Sequence, residues 1–151
     1  MDFQEFKKNI EFAISAEKYA QYFYRDAANS VSDAYLKEMF HQFAREEEHH
    51  EKLLREILEK GKVKTYFHEV EDFKVSELVE KPRVSDDMKP ADAFALAMKN
   101  EEEAMNLYLS LAECCSDAFQ KKVFEDLAAM ERQHKNKMEK AFVDIAYPET
   151  W

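Results

Sequence analysis

The sequence predicts an all-α fold: a four-helix bundle built from two helical hairpins joined by a long crossover connection. Three observations carry that prediction. Shifted by 84 residues the chain falls on itself, so that Glu17 meets Glu101, Glu47 meets Glu131 and His50 meets His134. Ala13, Ala20, Tyr24, Ala28, Ser32, Asp33, Ala34, Lys37, Phe40 and Ala44 find identical partners at the same offset, giving 13 identities over residues 13–50 where chance gives roughly two or three. Within each repeat the apolar positions advance in steps of three and four, the mark of a buried helical stripe. Finally, one glycine and three prolines in 151 residues leave little from which to build tight hairpin turns between strands.

The first stripe runs Ile10, Ala13, Glu17, Ala20, Tyr24, Ala27, Val31, and the second Leu36, Phe40, Phe43, Glu47, His50, Leu54, Ile57. The third is Phe94, Ala97, Glu101, Ala104, Tyr108, Leu111, Cys115, and the fourth Phe124, Leu127, Glu131, His134, Met138, Ala141, Ile145. Each has a glutamate in its middle. Ser32 and Ser116 are the expected N-caps of the second and fourth helices, each followed by an aspartate that suits the positive end of a helix. Gly61 is placed to end the second helix, Pro90 to open the third and Pro148 to follow the fourth. These signals divide a single domain, residues 1–151, into hairpin one at about 3–60, a crossover at about 61–89 and hairpin two at about 90–146. The crossover is too long for an ordinary turn, so Tyr66, Phe67, Val70, Phe73, Val75 and Leu78 are expected to patch the bundle surface as it runs along the helices.

Composition narrows the class of function. With 36% charged and 46% hydrophobic residues, and no apolar run approaching the ~20 residues of a membrane span, the chain reads as a bundle with no membrane partner. The start, Met1-Asp2-Phe3-Gln4-Glu5, has neither the basic nor the apolar region of a secretory signal, so the expected location is the cytoplasm. A formal charge of −10 opposes binding to nucleic acid. Cys114 and Cys115 are adjacent and form no Cys-x-x-Cys pair, which leaves neither a disulfide framework nor a rubredoxin-type iron site.

The glutamates carry the chemistry. In an antiparallel hairpin, residues equidistant from the turn share a level, and both the mean of 17 and 47 and the mean of 101 and 131 fall on the capping serines, 32 and 116. Each glutamate then sits ~22 Å from its turn at ~1.5 Å per residue. Four carboxylates meeting in a bundle core are untenable without cations, since an unpaired buried charge costs at least several kcal/mol and like charges repel. His50 follows Glu47 by three residues and His134 follows Glu131 by three, so each pair projects from one helix face. Four carboxylates with two imidazoles suit iron or manganese. Calcium and magnesium favour all-oxygen shells, and structural zinc favours thiolates. A lone glutamate in a helical stripe is ordinarily a partly exposed residue, but four in one register are not. The same register sets aside Glu46, Glu48 and His49 as flanking or solvated, because the 84-shifted partners of Glu46 and His49 are Met130 and Gln133. Glu102 and Glu103 read as a charged face, and His41 and His68 as surface residues. Tyr24 and Tyr108 occupy core positions close enough to the glutamates to donate hydrogen bonds or take part in redox chemistry.

The segments Ala13-x3-Glu17-x6-Tyr24, Ala44-x2-Glu47-x2-His50, Ala97-x3-Glu101-x6-Tyr108 and Ala128-x2-Glu131-x2-His134 resemble the ferritin-like domain of rubrerythrins over about residues 5–145. One glutamate from each of two helices with Glu-x-x-His from each of the other two is the pattern of ferritin-like dimetal carboxylate proteins, which these segments resemble. The resemblance implies two irons bridged by Glu47 and Glu131, with Glu17 and Glu101 as terminal ligands and His50 and His134 on one iron each. It also implies a homodimer. The chain departs from the rubrerythrin pattern at Ala104, where those proteins carry an extra glutamate, and in having no rubredoxin domain. Electrons would therefore come from a separate donor protein. The expected activity is reduction of hydrogen peroxide by a non-haem di-iron oxidoreductase. Ferritin-type iron oxidation and storage with dioxygen, or an oxygenase acting on an organic substrate, are the alternatives, the last requiring an apolar pocket beside the metals.

Overall fold

The computed structural model describes residues 1–60, 72 and 74–146. Among these residues there are four α-helices and no strand: α1 (Phe3–Ser30), α2 (Ala34–Lys60), α3 (Pro90–Glu113) and α4 (Ala118–Ala146), with one 3-10 turn at Ser76–Leu78. α1 packs on α2 and α3 on α4 as the two hairpins of an all-α four-helix bundle. None of the described helices is long and apolar enough to cross a membrane. Gly61, Tyr66, Phe67, His68, Val70, Phe73 and Pro148 lie outside the described residues.

The helix starts differ from expectation by one residue, and identically in both hairpins. The N-caps of α2 and α4 are Asp33 and Asp117, not Ser32 and Ser116. Asp33 Oδ1 accepts the Leu36 backbone N–H at 2.9 Å, and Asp117 Oδ1 accepts that of Gln120 at 2.9 Å. A carboxylate satisfies the same orphan donor as a hydroxyl and adds a full charge at the positive helix end, so the aspartate takes the position. Ser32 instead gives both its backbone N–H (2.7 Å) and its hydroxyl (2.8 Å) to Asp86, which ties the first turn to the crossover. Pro90 is the first residue of α3, where its missing N–H costs nothing, and Asp92 accepts the Lys89 N–H at 3.0 Å.

Most predicted stripe residues are buried, Ala20, Phe94, Ala104, Leu111, His134 and Ala141 only partly so, and the buried apolar side chains divide into two clusters. One joins Tyr24, Val31, Phe40, Phe43, Leu96, Met98 and Met138, among others; the second joins Phe6, Ile10, Leu54, Ile57, Met105, Tyr108, Phe124 and Leu127. On each helix the stripe glutamate lies between the residues of one cluster and those of the other. The hydrophobic core is thus cut in two by a polar layer. The stripe fails at the end of α4, where Ile145 is exposed and Phe142 is buried in its place. A helix of 3.6 residues per turn drifts against steps of three and four, and the drift has accumulated by that point.

The crossover is attached through a second buried polar cluster. Ser76 donates its N–H to Glu139 Oε2 at 2.5 Å and its hydroxyl to Glu102, while its carbonyl accepts Lys99 Nζ at 2.9 Å. Lys135, almost wholly buried, pairs with Glu139 at 3.0 Å and with Asp72. Val75 packs against the core as expected, whereas Leu78 does not patch the surface but points into solvent. Glu102 is likewise half-buried rather than part of a solvated face; Glu103 is exposed beside Lys81.

The cap assignment predicts that Asp117→Ala destabilises the fold by about 1 kcal/mol, while Ser116→Ala stays within about 0.5 kcal/mol. Urea unfolding of the two variants measures the difference, and equal losses would return the cap to the serine.

Candidate metal centre

The polar layer contains all four stripe glutamates and His50. Glu17, Glu47, Glu101 and Glu131 are each 6% exposed or less, and His50 is fully buried. The levels inferred from the turns are met: His50 Nδ1 lies 3.6 Å from Glu17 Oε2, 3.5 Å from Glu47 Oε2 and 3.4 Å from Glu131 Oε1. Two sets of three residues, Glu17 with His50 and Glu131, and Glu47 with His50 and Glu101, can each place one donor atom within 4.8 Å of the others. Each set draws on both hairpins. The bundle itself, and not either hairpin alone, assembles the site.

The two histidines are not equivalent, although the repeat makes them so. His134 is half-buried, its Nδ1 faces Glu46 Oε2 at 3.9 Å, and its Nε2 meets His50 Nε2 at 3.4 Å with the rings edge to face. His50 therefore belongs to both sets of donors and His134 to neither. Glu46 is not a solvated residue: it is half-buried between His134 and Lys137, whose Nζ lies 3.6 Å away. The repeat could not reveal this contact, because its counterpart position is Met130. His49 and His41 are exposed and Glu48 is half-exposed, as expected.

Protonation follows the repeat more closely than geometry does. Burial, reinforced by the neighbouring carboxylates, holds Glu17 and Glu101 well above the ordinary carboxyl range. Burial acts the same way on Glu47 and Glu131 but is outweighed, through Glu17 and His50 at Glu47 and through the charge of His50 at Glu131, so both fall below that range. Burial opposes a charge on His50 as well, yet Glu131, Glu17 and Glu47 together raise it well above an ordinary imidazole. His134 is lowered by burial and by charged His50. Burial and mutual repulsion thus favour the neutral form at Glu17 and Glu101, and the charge of His50 favours the anionic form at Glu47 and Glu131. Several polar atoms still lack a hydrogen bond despite full burial: His50 Nδ1, His134 Nδ1, Glu101 Oε2 and both oxygens of Glu131. Unmatched carboxylate oxygens and imidazole nitrogens converging on one layer fit divalent transition metals.

The rubrerythrin family model matches residues 8–146. The chain belongs to the rubrerythrin family. Among solved structures it is similar to a hypothetical protein, Pfu-1136390-001 from Pyrococcus furiosus, with 26% identity over 97% of this chain and 93% of that one and a TM-score of 0.57. No curated protein matches it. Family membership and the buried carboxylate and histidine cluster together support a di-iron protein.

Around the layer of this rubrerythrin-family chain, Tyr24 and Tyr108 are buried. Burial and the nearby glutamates push both phenols well above their ordinary range, so they stay protonated. Tyr24 OH accepts a hydrogen bond from Asn100 at 2.8 Å. A groove of about 530 Å³ opens between α1 and α3, with Glu17, Glu47, Glu101 and Tyr108 in its lining. The stripe analysis missed this groove because its outer walls, including Phe12, Ala16 and Tyr19, lie off the stripe. It missed Lys135 and Glu139 too, although both follow Glu131 at four-residue steps along one face of α4.

These shifts set the pH response of the metal-free chain. Stability from the raised groups Glu17, Glu101 and His50 is complete below their ordinary values, 4.5 and 6.5, and is lost as pH rises through their folded values. Stability from the lowered Glu47 and Glu131 is present above 4.5 and is lost as pH falls; His134 behaves likewise below 6.5. The unfolding temperature in a chelator should therefore peak at mildly acidic pH and fall towards pH 8, and manganous ion should remove the alkaline fall. Thermal circular dichroism across this range is the check, and a metal-free protein more stable at pH 8 than at pH 6 contradicts the assignment.

Proposed function

We propose that this chain is a non-haem di-iron oxidoreductase of rubrerythrin type that reduces hydrogen peroxide with electrons from a separate donor protein. The observation that carries the reading is the buried layer of four glutamates and His50, whose donor atoms fall into two sets of three that could each hold a metal ion. Glu17, Glu47, Glu101, Glu131, His50 and His134 are the residues that would hold two iron ions. Manganese suits the same donors. When bound in its reduced form, the metal pair supplies the two electrons that peroxide requires. The protein residues have other tasks. The four carboxylates would neutralise the cations, the two apolar clusters flank the layer on either side, and Tyr24 and Tyr108 stay protonated beside it as hydrogen-bonding groups. The working form is proposed to be a cytoplasmic homodimer.

One observation favours a second reading. The groove leads from the surface to Glu17, Glu47 and Glu101, as an oxygenase with an organic substrate would need. Ferritin-type storage has no comparable support.

Two experiments test the proposal. Glu47→Ala should lose both metals together, because it serves both, and Glu46→Ala should keep two per chain; elemental analysis gives the ratio, and an unchanged count in Glu47→Ala removes the assignment. Anaerobic loading with ferrous iron followed by rapid mixing should show oxidation at least tenfold faster with hydrogen peroxide than with dioxygen. Faster oxidation by dioxygen transfers the function to the oxygenase or storage class.

A further inference from the structure

The groove between α1 and α3 is larger than hydrogen peroxide needs. At about 530 Å³ it falls within the ~300–1,000 Å³ of small-molecule sites, while a water molecule, comparable in size to the oxidant, occupies only ~30 Å³. Its space comes from alanines. Ala20 and Ala104 are equivalent positions of the repeat, each three residues beyond a floor glutamate, Glu17 or Glu101, and so one turn further along the same helix face. At the mouth stand Phe12 and Tyr19, both exposed, together with the ion pair of Lys81 and Glu103 at 3.2 Å. At the floor, Glu101 is 3% exposed and its Oε2 has no hydrogen-bond partner.

An apolar channel with an aromatic mouth and an unmatched polar floor selects an amphiphile whose polar end is small and uncharged. A carboxylate or phosphate head would have to shed its water in a channel whose other walls are mostly apolar, a cost that an uncharged group avoids. Resting on the peroxidase reading, we propose that the groove binds the hydrocarbon part of an organic hydroperoxide, with its –OOH group directed to the Glu17, Glu47 and Glu101 floor. The reaction is ROOH + 2e⁻ + 2H⁺ → ROH + H₂O. The O–O bond breaks, both electrons come from the diferrous pair and are restored by the donor protein, and solvent supplies the protons. The alcohol product keeps the same hydrocarbon and leaves by the same groove.

Binding can be read without turnover. The iron-loaded, oxidised protein is titrated with cumyl alcohol, the product of cumene hydroperoxide, by isothermal titration calorimetry. The expected result is saturable binding at one site per chain. Ala104→Phe, which fills the groove, should weaken binding at least tenfold while retaining two irons, and the nearly isosteric Ala104→Ser should retain binding. If Ala104→Phe fails to fold, Ala20→Val supplies the partial block and should give an intermediate loss. The proposal is overturned by absent binding in the parent protein, by equal affinity in the filled and open variants, or by binding that appears only when Tyr19→Glu dissociates a dimer sealing the groove. The two readings fail separately. A chain that binds no iron but still binds cumyl alcohol keeps the groove and loses the peroxidase, whereas two irons without alcohol binding does the reverse.

Discussion

The bundle is organised around the burial of four carboxylates and an imidazole in one layer of an otherwise apolar interior. Such a layer opposes folding unless its charge is neutralised, and its surroundings push in that direction by raising Glu17 and Glu101 towards the neutral form and His50 towards the charged one. The rest of the structure is arranged to make that layer possible. Two hydrophobic clusters, one on each side, supply the burial that offsets it, and α4 is enclosed over Asp126–Glu131, six consecutive buried residues. The cost of the layer is the reason a cation would be stabilising there.

Duplication explains most of the layer, and its departures locate the function. Glu17 and Glu101 share one protonation behaviour, and Glu47 and Glu131 the other, as two-fold equivalents should. The equivalence ends at the histidines. His50 faces Glu17, Glu47 and Glu131 and lies in the layer, while His134 faces Glu46, itself beside Lys137, and lies at the margin. A site that is symmetric in sequence thereby acquires a closed end and an open one. Ala20 and Ala104 add a further opening on the α1 and α3 side, where a larger residue at either position would close the path to the glutamates.

The crossover belongs to the same design. Ser76 is held by Glu139, Glu102 and Lys99, and Lys135, four residues beyond Glu131, is neutralised by Glu139 and Asp72. Removing one partner of a buried pair of this kind typically costs ~3–5 kcal/mol. The connection between hairpins is thus pinned to the helices that carry Glu101 and Glu131.

The sequence by itself determined the helices, their hairpin pairing and the level of the glutamates. Those properties depend on periodicity and on distance from a turn, which are local or nearly so: 17 and 47 flank residue 32 whatever the rest of the chain does. It also showed that an aspartate followed each capping serine, but not which of the two would cap, since both side chains can satisfy the same N–H and only the path of the chain chooses. Residues that act across elements were not legible. Glu46 had no partner under the 84-residue shift, yet it faces His134 from another helix; Lys135 and Glu139 looked like charged helix residues until the crossover covered them. The groove likewise needed two helices to diverge at their alanines. Periodicity specifies which face of a helix is buried, but only the packed bundle decides what each buried group touches, because those contacts join residues that no local pattern relates.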